Sequence, residues 1–196
     1  MFLTAAYFYN KIPDKIASHW NVAGEVNGYM CKFWGIFLLP LISVGIFILF
    51  LIIPFIEPLK ENLKKFRKYY DFFRTAILGF LFYIYLLTIF WNINQFNFTI
   101  FLVPAFSILI YCAGILIDNA KRNWFVGIRT PWTLSSDKVW NSTHKLGGIL
   151  FKIAAVISLL GLIFPNQIIF LLVFPIIGFS VFLVFYSFFK YKQSHK

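Results

Sequence analysis

Acidic residues are scarce in this chain: seven Asp and Glu stand against eighteen Lys and Arg, and charged residues of both signs make up only 13% of the sequence. A soluble domain carries about 25% charged residues, so a water-exposed globule is excluded. No Asp or Glu falls inside the long apolar runs, which leaves the proton and sodium relays of coupled transporters without their usual carboxylates. Cysteine is nearly absent as well. Cys31 and Cys112 fall near opposite membrane faces in the topology below, beyond the roughly 7 Å Cα separation that a disulfide tolerates, and both read as buried thiols. The histidines His19, His144 and His195 are divided between two sides, and no Cys/His cluster has ligand spacing, so no metal site is expected. No Walker loop, nucleophile elbow or His-Glu-x-x-His pattern occurs; neither an enzyme nor a cofactor is expected.

What is present is apolar and aromatic: 60% hydrophobic residues and 22% aromatics. Crossing the hydrocarbon takes about 20 helical residues, and five runs approach or exceed that length: 33–56, 75–93, 98–117, 146–164 and 168–189. Pro40, Pro54, Pro104 and Pro175 lie inside them and predict kinks whose freed carbonyls are met by neighbouring helices. Residues 1–9 are apolar but too few to cross. They are expected to be a truncated first span or a short arm in the interface, and they lack the basic lead and small-residue cleavage site of a signal peptide. The fold class is therefore all-α: a polytopic transmembrane helix bundle with five complete spans and a partial first span, forming one integral membrane domain over 1–196. Segment 10–32 reads as a polar loop, with Pro13, Gly24 and Gly28 as breakers of helix and strand alike.

Basic residues fix the expected orientation, because Lys and Arg near span ends are retained in the cytoplasm. Segments 57–74, 118–146 and 190–196 carry fourteen of them, the opposite side only Lys11, Lys15 and Lys32, and Lys152 lies within a span. The C-terminus is thus expected in the cytoplasm of a plasma-membrane protein and the 10–32 loop outside. Confinement of the charge to short segments beside apolar runs argues against nucleic acid as a partner. The run from Lys60 to Arg74 reads as an orientation signal touching anionic lipid, with a cytoplasmic protein partner as the alternative.

Two polar, aromatic-rich motifs interrupt the apolar pattern. The outer loop carries Pro13, Ile16, His19, Trp20, Asn21 and Gly24, ahead of Leu38-Leu39-Pro40; it resembles a small bacterial and archaeal membrane module of unassigned function. The cytoplasmic stretch reads Gly127-Ile128-Arg129-Thr130-Pro131-Trp132-Thr133-Leu134, followed by Val139-Trp140 and His144. It is similar to the signature of the SdpI family, named for a membrane protein that gives its producer immunity to a secreted toxin. The front of the chain departs from the family, which has a complete first span where this sequence has nine residues.

Each candidate residue has two readings. His19, with an unperturbed pKa of about 6.5, is either a pH-sensitive ligand group or part of an interfacial plug with Trp20 and Tyr29, while Asn21, Gly24 and Gly28 make turns. Arg129 either holds a lipid phosphate or carboxylate bidentately, or braces loop carbonyls and pairs with Asp118 or Asp137. Trp124, Trp132 and Trp140 are interface anchors or a ligand cage. Ser135 or Ser136 should cap a helix starting near Asp137. On that helix Asp137, Trp140, Asn141, His144, Gly148 and Lys152 recur every three or four residues and so share a face. Lys152 is a functional intramembrane cation or, the closer reading, snorkels to the headgroups.

The resemblance implies a multi-pass membrane protein of the toxin-immunity type. It would bind a membrane-active peptide or lipid-like agent at the outer loop or between helices, and relay occupancy to the cytoplasmic stretch. The competing reading is a small transporter or channel lined by Lys152, Ser107 and Ser158. The partners expected are the bilayer and a hydrophobic peptide toxin.

Overall fold

Five helices of the computed structural model, which describes residues 1–21 and 24–194, are long and apolar enough to cross a bilayer. The chain runs α1 (Phe2–Phe8), β1 (Lys15–Trp20), β2 (Val26–Cys31), α2 (Lys32–Ile56), α3 (Lys60–Lys65), α4 (Arg67–Ile93), α5 (Phe98–Asn119), α6 (Pro131–Ser135), α7 (Asp137–Leu159) and α8 (Ile168–Ser194). Two single 3-10 turns, Leu160–Leu162 and Pro165–Gln167, join the last two helices. The polytopic helix bundle is thus as the apolar runs dictate. His195 and Lys196, and Val22 and Ala23 of the 10–32 segment, lie outside the described residues.

Successive spans are antiparallel neighbours, and each end of the bundle has its own core. At the hairpin end, Ile12 and Ile16 pack with Ala5 of α1, Ile36 of α2 and Tyr85 and Ile89 of α4. At the other, basic end, Ile53, Leu63, Phe66, Tyr70, Leu116 and Trp140 form one buried cluster. The prolines behave as the covalent chemistry requires. Pro54 cannot donate to the carbonyl four residues back, and the Tyr70 hydroxyl donates to that carbonyl, Phe50 O, at 2.8 Å.

Helices α5 and α7 form the most extensive pair, because glycines let their backbones touch. A Cβ on Gly148 would sit 2.9 Å from Gly114 O and 2.5 Å from Asp118 Cβ, and one on Gly114 would sit 3.0 Å from Gly148 O. Small residues at such a crossing substitute close packing for the hydrophobic drive that lipid cannot supply. Ser107 and Ser158 join hydroxyls across the same interface.

The structure corrects four expectations. Segment 10–32 is not free of strand: β1 and β2 form an antiparallel hairpin, because Pro13 precedes it and Gly24 lies in its turn, so neither breaker interrupts a strand. Helix α4 starts at Arg67 rather than near 75, carrying Arg67, Asp71 and Arg74 as i,i+3 and i,i+4 ion pairs on its first turns. Asp118 lies inside α5, which runs to Asn119, and with Asp71 in α4 and Asp137 in α7 three spanning helices hold a carboxylate near an end. Cys31 is exposed at the head of α2, whereas Cys112 is buried as expected.

Candidate functional site

The hairpin is bolted to the bundle by an amide that imitates a strand. Asn92 near the end of α4 accepts from Ala17 N at 2.8 Å and donates to Ala17 O and Thr88 O. At the base, Lys32 forms an ion pair with Asp14 at 2.8 Å; hydrogen bonding to that ammonium, and then its charge, hold the Asp14 carboxyl below the ordinary carboxylate range. Pro13 is exposed just ahead of this pair.

Pairing is irregular between Ala17 and Trp20: Ala17 faces Tyr29, His19 faces Gly28 and Trp20 faces Val26. Ser18 and Asn27 are therefore the extra residues of two bulges, a device that re-aims side chains. His19 Nδ1 is hydrogen-bonded to Asn27 Oδ1, Trp20 stacks on Phe98 with centroids 3.9 Å apart and 6° between planes, and Trp91 meets it edge-on. Asn21 closes the turn, its Oδ1 accepting from Glu25 N and its Nδ2 donating to Glu25 Oε2. Trp20 thus belongs to an aromatic plug, but Tyr29 does not, being 62% exposed. Below this layer lies a cavity of about 840 Å³ between α2, α4, α5 and α8.

At the opposite end, residues 121–135 fold into a clasp that writes its own hydrogen bonds. Asn123, fully buried, accepts from Phe125 N and Val126 N and donates to Lys121 O and Val126 O. Thr130 and Thr133 cap α6 reciprocally, side chain to backbone, with Pro131 at the first helical position where its missing N–H costs nothing. Arg122 reaches Leu134 O and pairs with Asp137 at 2.8 Å. Arg129 donates to Trp124 O, so of its alternatives the carbonyl brace is realised; Asp118 and Asp137 are taken by other cations.

The clasp then grips α2, α7 and α8 where they reach this end. Glu57, fully buried at the end of α2, accepts from Leu59 N at 2.9 Å and Trp124 N at 3.0 Å. Trp140 Nε1 donates to Ala120 O at 2.8 Å, and Thr130 and Ser187 of α8 share a hydrogen bond. His144 stacks on Trp140 with centroids 3.8 Å apart. Its Nε2 accepts from Ile128 N while Nδ1 lies 2.9 Å from Trp140 O. A carbonyl only accepts and a backbone N–H only donates, which assigns the neutral tautomer with the proton on Nδ1. Gly127, at φ +110°, passes over this ring.

Three placements differ from expectation. Trp140 is wholly buried, hence neither headgroup anchor nor cage; Trp132 packs edge-on against Phe188 and only Trp124, 50% exposed, stands out from the surface. Asn141 is exposed, and the buried face of α7 is Trp140, Thr143, His144, Gly147 and Gly148. Lys152 reaches one turn toward the basic end, in the snorkelling direction, but meets Asp118 at 2.8 Å instead of headgroups. Ser136, as expected, caps α7. The polar residues proposed for a transport path are engaged with partners, Lys152 with Asp118 and Ser107 with Ser158, and none of them lines the large cavity.

The Asp118 and Lys152 side chains are 31% and 28% exposed, at a depth where a lone charge is costly. Lys152→Met alone should therefore destabilise more than Lys152→Met combined with Asp118→Leu, with a coupling of roughly 0.5–3 kcal/mol. Unfolding of the four variants in micelles checks this, and strictly additive losses would show the pair to be uncoupled.

Residues 119–187, which contain the entire clasp and both partners of its α8 contact, match the model of the SdpI/YfhL protein family. This segment is therefore similar to that family, over about a third of the chain. Residues 1–44, covering the hairpin and the first half of α2, match a domain of unknown function, DUF1648. Among curated proteins, the immunity protein SdpI of Bacillus subtilis (strain 168) is 21% identical over 194 residues, which span 98% of this chain and 91% of that protein. No solved structure matches. The two family matches divide at the ends of the bundle: the hairpin module supplies one end and the SdpI/YfhL segment the other.

Sequence reasoning missed Glu57, Asn92 and Asn123, and offered Asp118 to Arg129 rather than to Lys152. Only Asn123 carried a local signal, an Asn ahead of a turn, which prefers to bond its own backbone two and three residues on. The others act across 34 to 75 positions, and no local pattern encodes such a partner.

Proposed function

We propose that this multi-pass protein acts as an immunity protein: it sits in the plasma membrane with the hairpin outside and the clasp in the cytoplasm, neutralises a membrane-active hydrophobic peptide, and relays occupancy inward. One observation carries the reading. Strand β2 runs without a break into α2, and the far end of α2 delivers Glu57 to the backbone of Trp124, so one continuous stretch of chain touches both motifs. The similarity to a Bacillus subtilis immunity protein over nearly the full length supports the kind of task, and the concentration of basic residues in segments 57–74, 118–146 and 190–196 supports the orientation.

Expression in a host sensitive to membrane-active peptides tests the first part: survival should exceed that of vector controls for at least one peptide, and equal killing across a panel would sink the reading. Backbone hydrogen exchange tests the relay. Adding the protecting peptide should change exchange in 121–134, and an unaltered clasp would reduce the protein to a passive trap.

A further inference from the structure

Resting on that immunity reading, the structure points to where the peptide sits and which part of it is held. We propose that the cavity under the hairpin seats the carbonyl-bearing end of an uncharged, apolar helical peptide, arriving sideways from the hydrocarbon between α2 and α8. The rims are Leu38 and Ile42 on α2 and Ile169 on α8, all exposed to where lipid would lie; α4 and α5 form the back wall and the bulged part of the hairpin the roof.

Size fits such a ligand. From Gly35 to Ile42 the α2 wall rises about 10 Å, or two turns. Two turns of a helix 10–12 Å across occupy about 850–1,200 Å³, against a cavity of about 840 Å³. Charge selects among ligands. No Asp, Glu, Lys or Arg lines the cavity, so a charged terminus or a phosphate would find no counter-charge, and a desolvated unpaired ion is costly.

The roof then selects the end of the peptide. The last four carbonyls of any helix lack intrahelical donors, and in hydrocarbon each must find one. The roof offers donors on two lining residues, the Asn27 amide and the Ser18 hydroxyl. A donor left unpaired in an apolar seat costs about 1–3 kcal/mol, and a carbonyl from the ligand would satisfy it. The roof residues are held ready by Phe98 behind Trp20 and by the hydrogen bond between His19 and Asn27.

The test uses the full chain in phosphate-free detergent micelles and a synthetic 20-residue Leu/Ala helix, amidated at its C-terminus and carrying a photoreactive leucine next to that end. Cross-linking should saturate and map to the cavity walls. Ser18→Ala, which deletes a roof donor and leaves the stacked Trp20 ring in place, should raise the half-saturating concentration about fivefold. Leu102→Trp, which fills the cavity, should abolish saturation. A probe with the photoreactive group at the other end should label no cavity residue. Cross-links spread evenly over the lipid-facing helices, insensitivity to both variants, or displacement of the probe by equimolar phosphatidylcholine would each overturn the proposal, the last by making phospholipid the occupant. Leu102→Trp protein that still protects cells would sink the cavity and leave the immunity reading standing; wild-type chain that seats the probe yet protects no cell would do the reverse.

Discussion

Gly127→Ala is expected to destabilise the protein by about 2–5 kcal/mol. Two causes add. The residue sits at φ +110°, a left-handed conformation that only glycine adopts without strain. Its new methyl would also overlap the His144 ring at Nε2 and Cδ2 and press on Trp140 Cζ2. The ring cannot retreat, because Nδ1 is tied to Trp140 O and the Trp140 indole lies flat against it. Thermal unfolding in micelles should show the midpoint falling by roughly 10 °C. Adding His144→Ala should recover part of the loss, because it vacates the space the methyl needs. A Gly127→Ala chain as stable as wild type would mean that the clasp does not close over His144.

Trp140→Ala should cost about 3–5 kcal/mol, the range for emptying a large aromatic site. Trp140 is wholly buried and joins Ile53 of α2, Phe66 and Tyr70 of the following segment, and Leu116 of α5 in one cluster. Trp140→Phe separates packing from bonding. It keeps most of the volume but orphans Ala120 O, which accepts the indole N–H, and should cost about 1–3 kcal/mol. Chemical denaturation in mixed micelles, followed by the fluorescence of the remaining tryptophans, measures both. Equal losses from the two substitutions would show that the hydrogen bond, not the cluster, holds the clasp to α7.

The helices and their order were legible because lipid imposes a length and a composition that no local ambiguity can hide. Even the compensation for Pro54 followed from the sequence in kind, though not its agent, Tyr70, sixteen residues on. The clasp was legible in part, since its motif is built from short-range devices: the Thr130–Thr133 box, the Ser136 cap and the Asn123 loop each close within a few residues. The β1–β2 hairpin was obscured because its glycines and proline read as breakers, whereas one glycine serves the turn and the other lies opposite His19. Trp140 was misplaced at the interface for a related reason: tryptophan near a span end usually faces headgroups, and only α2 and the residues after it, folding back, put this one in a core. The cavity could not be read at all, because four helices and a hairpin far apart in sequence supply its walls.

Sidedness decides whether one motif can meet an external peptide while the other faces the cell interior. Native Cys31 is exposed at the hairpin end, Cys112 is buried, and Ser135 is exposed at the clasp end, so one pair of strains suffices. Treated with a membrane-impermeant maleimide, intact cells should label wild-type protein at Cys31, while a Cys31→Ser, Ser135→Cys chain should label only after permeabilisation. Labelling of residue 135 in intact cells, with Cys31 protected, would invert the orientation and contradict the account.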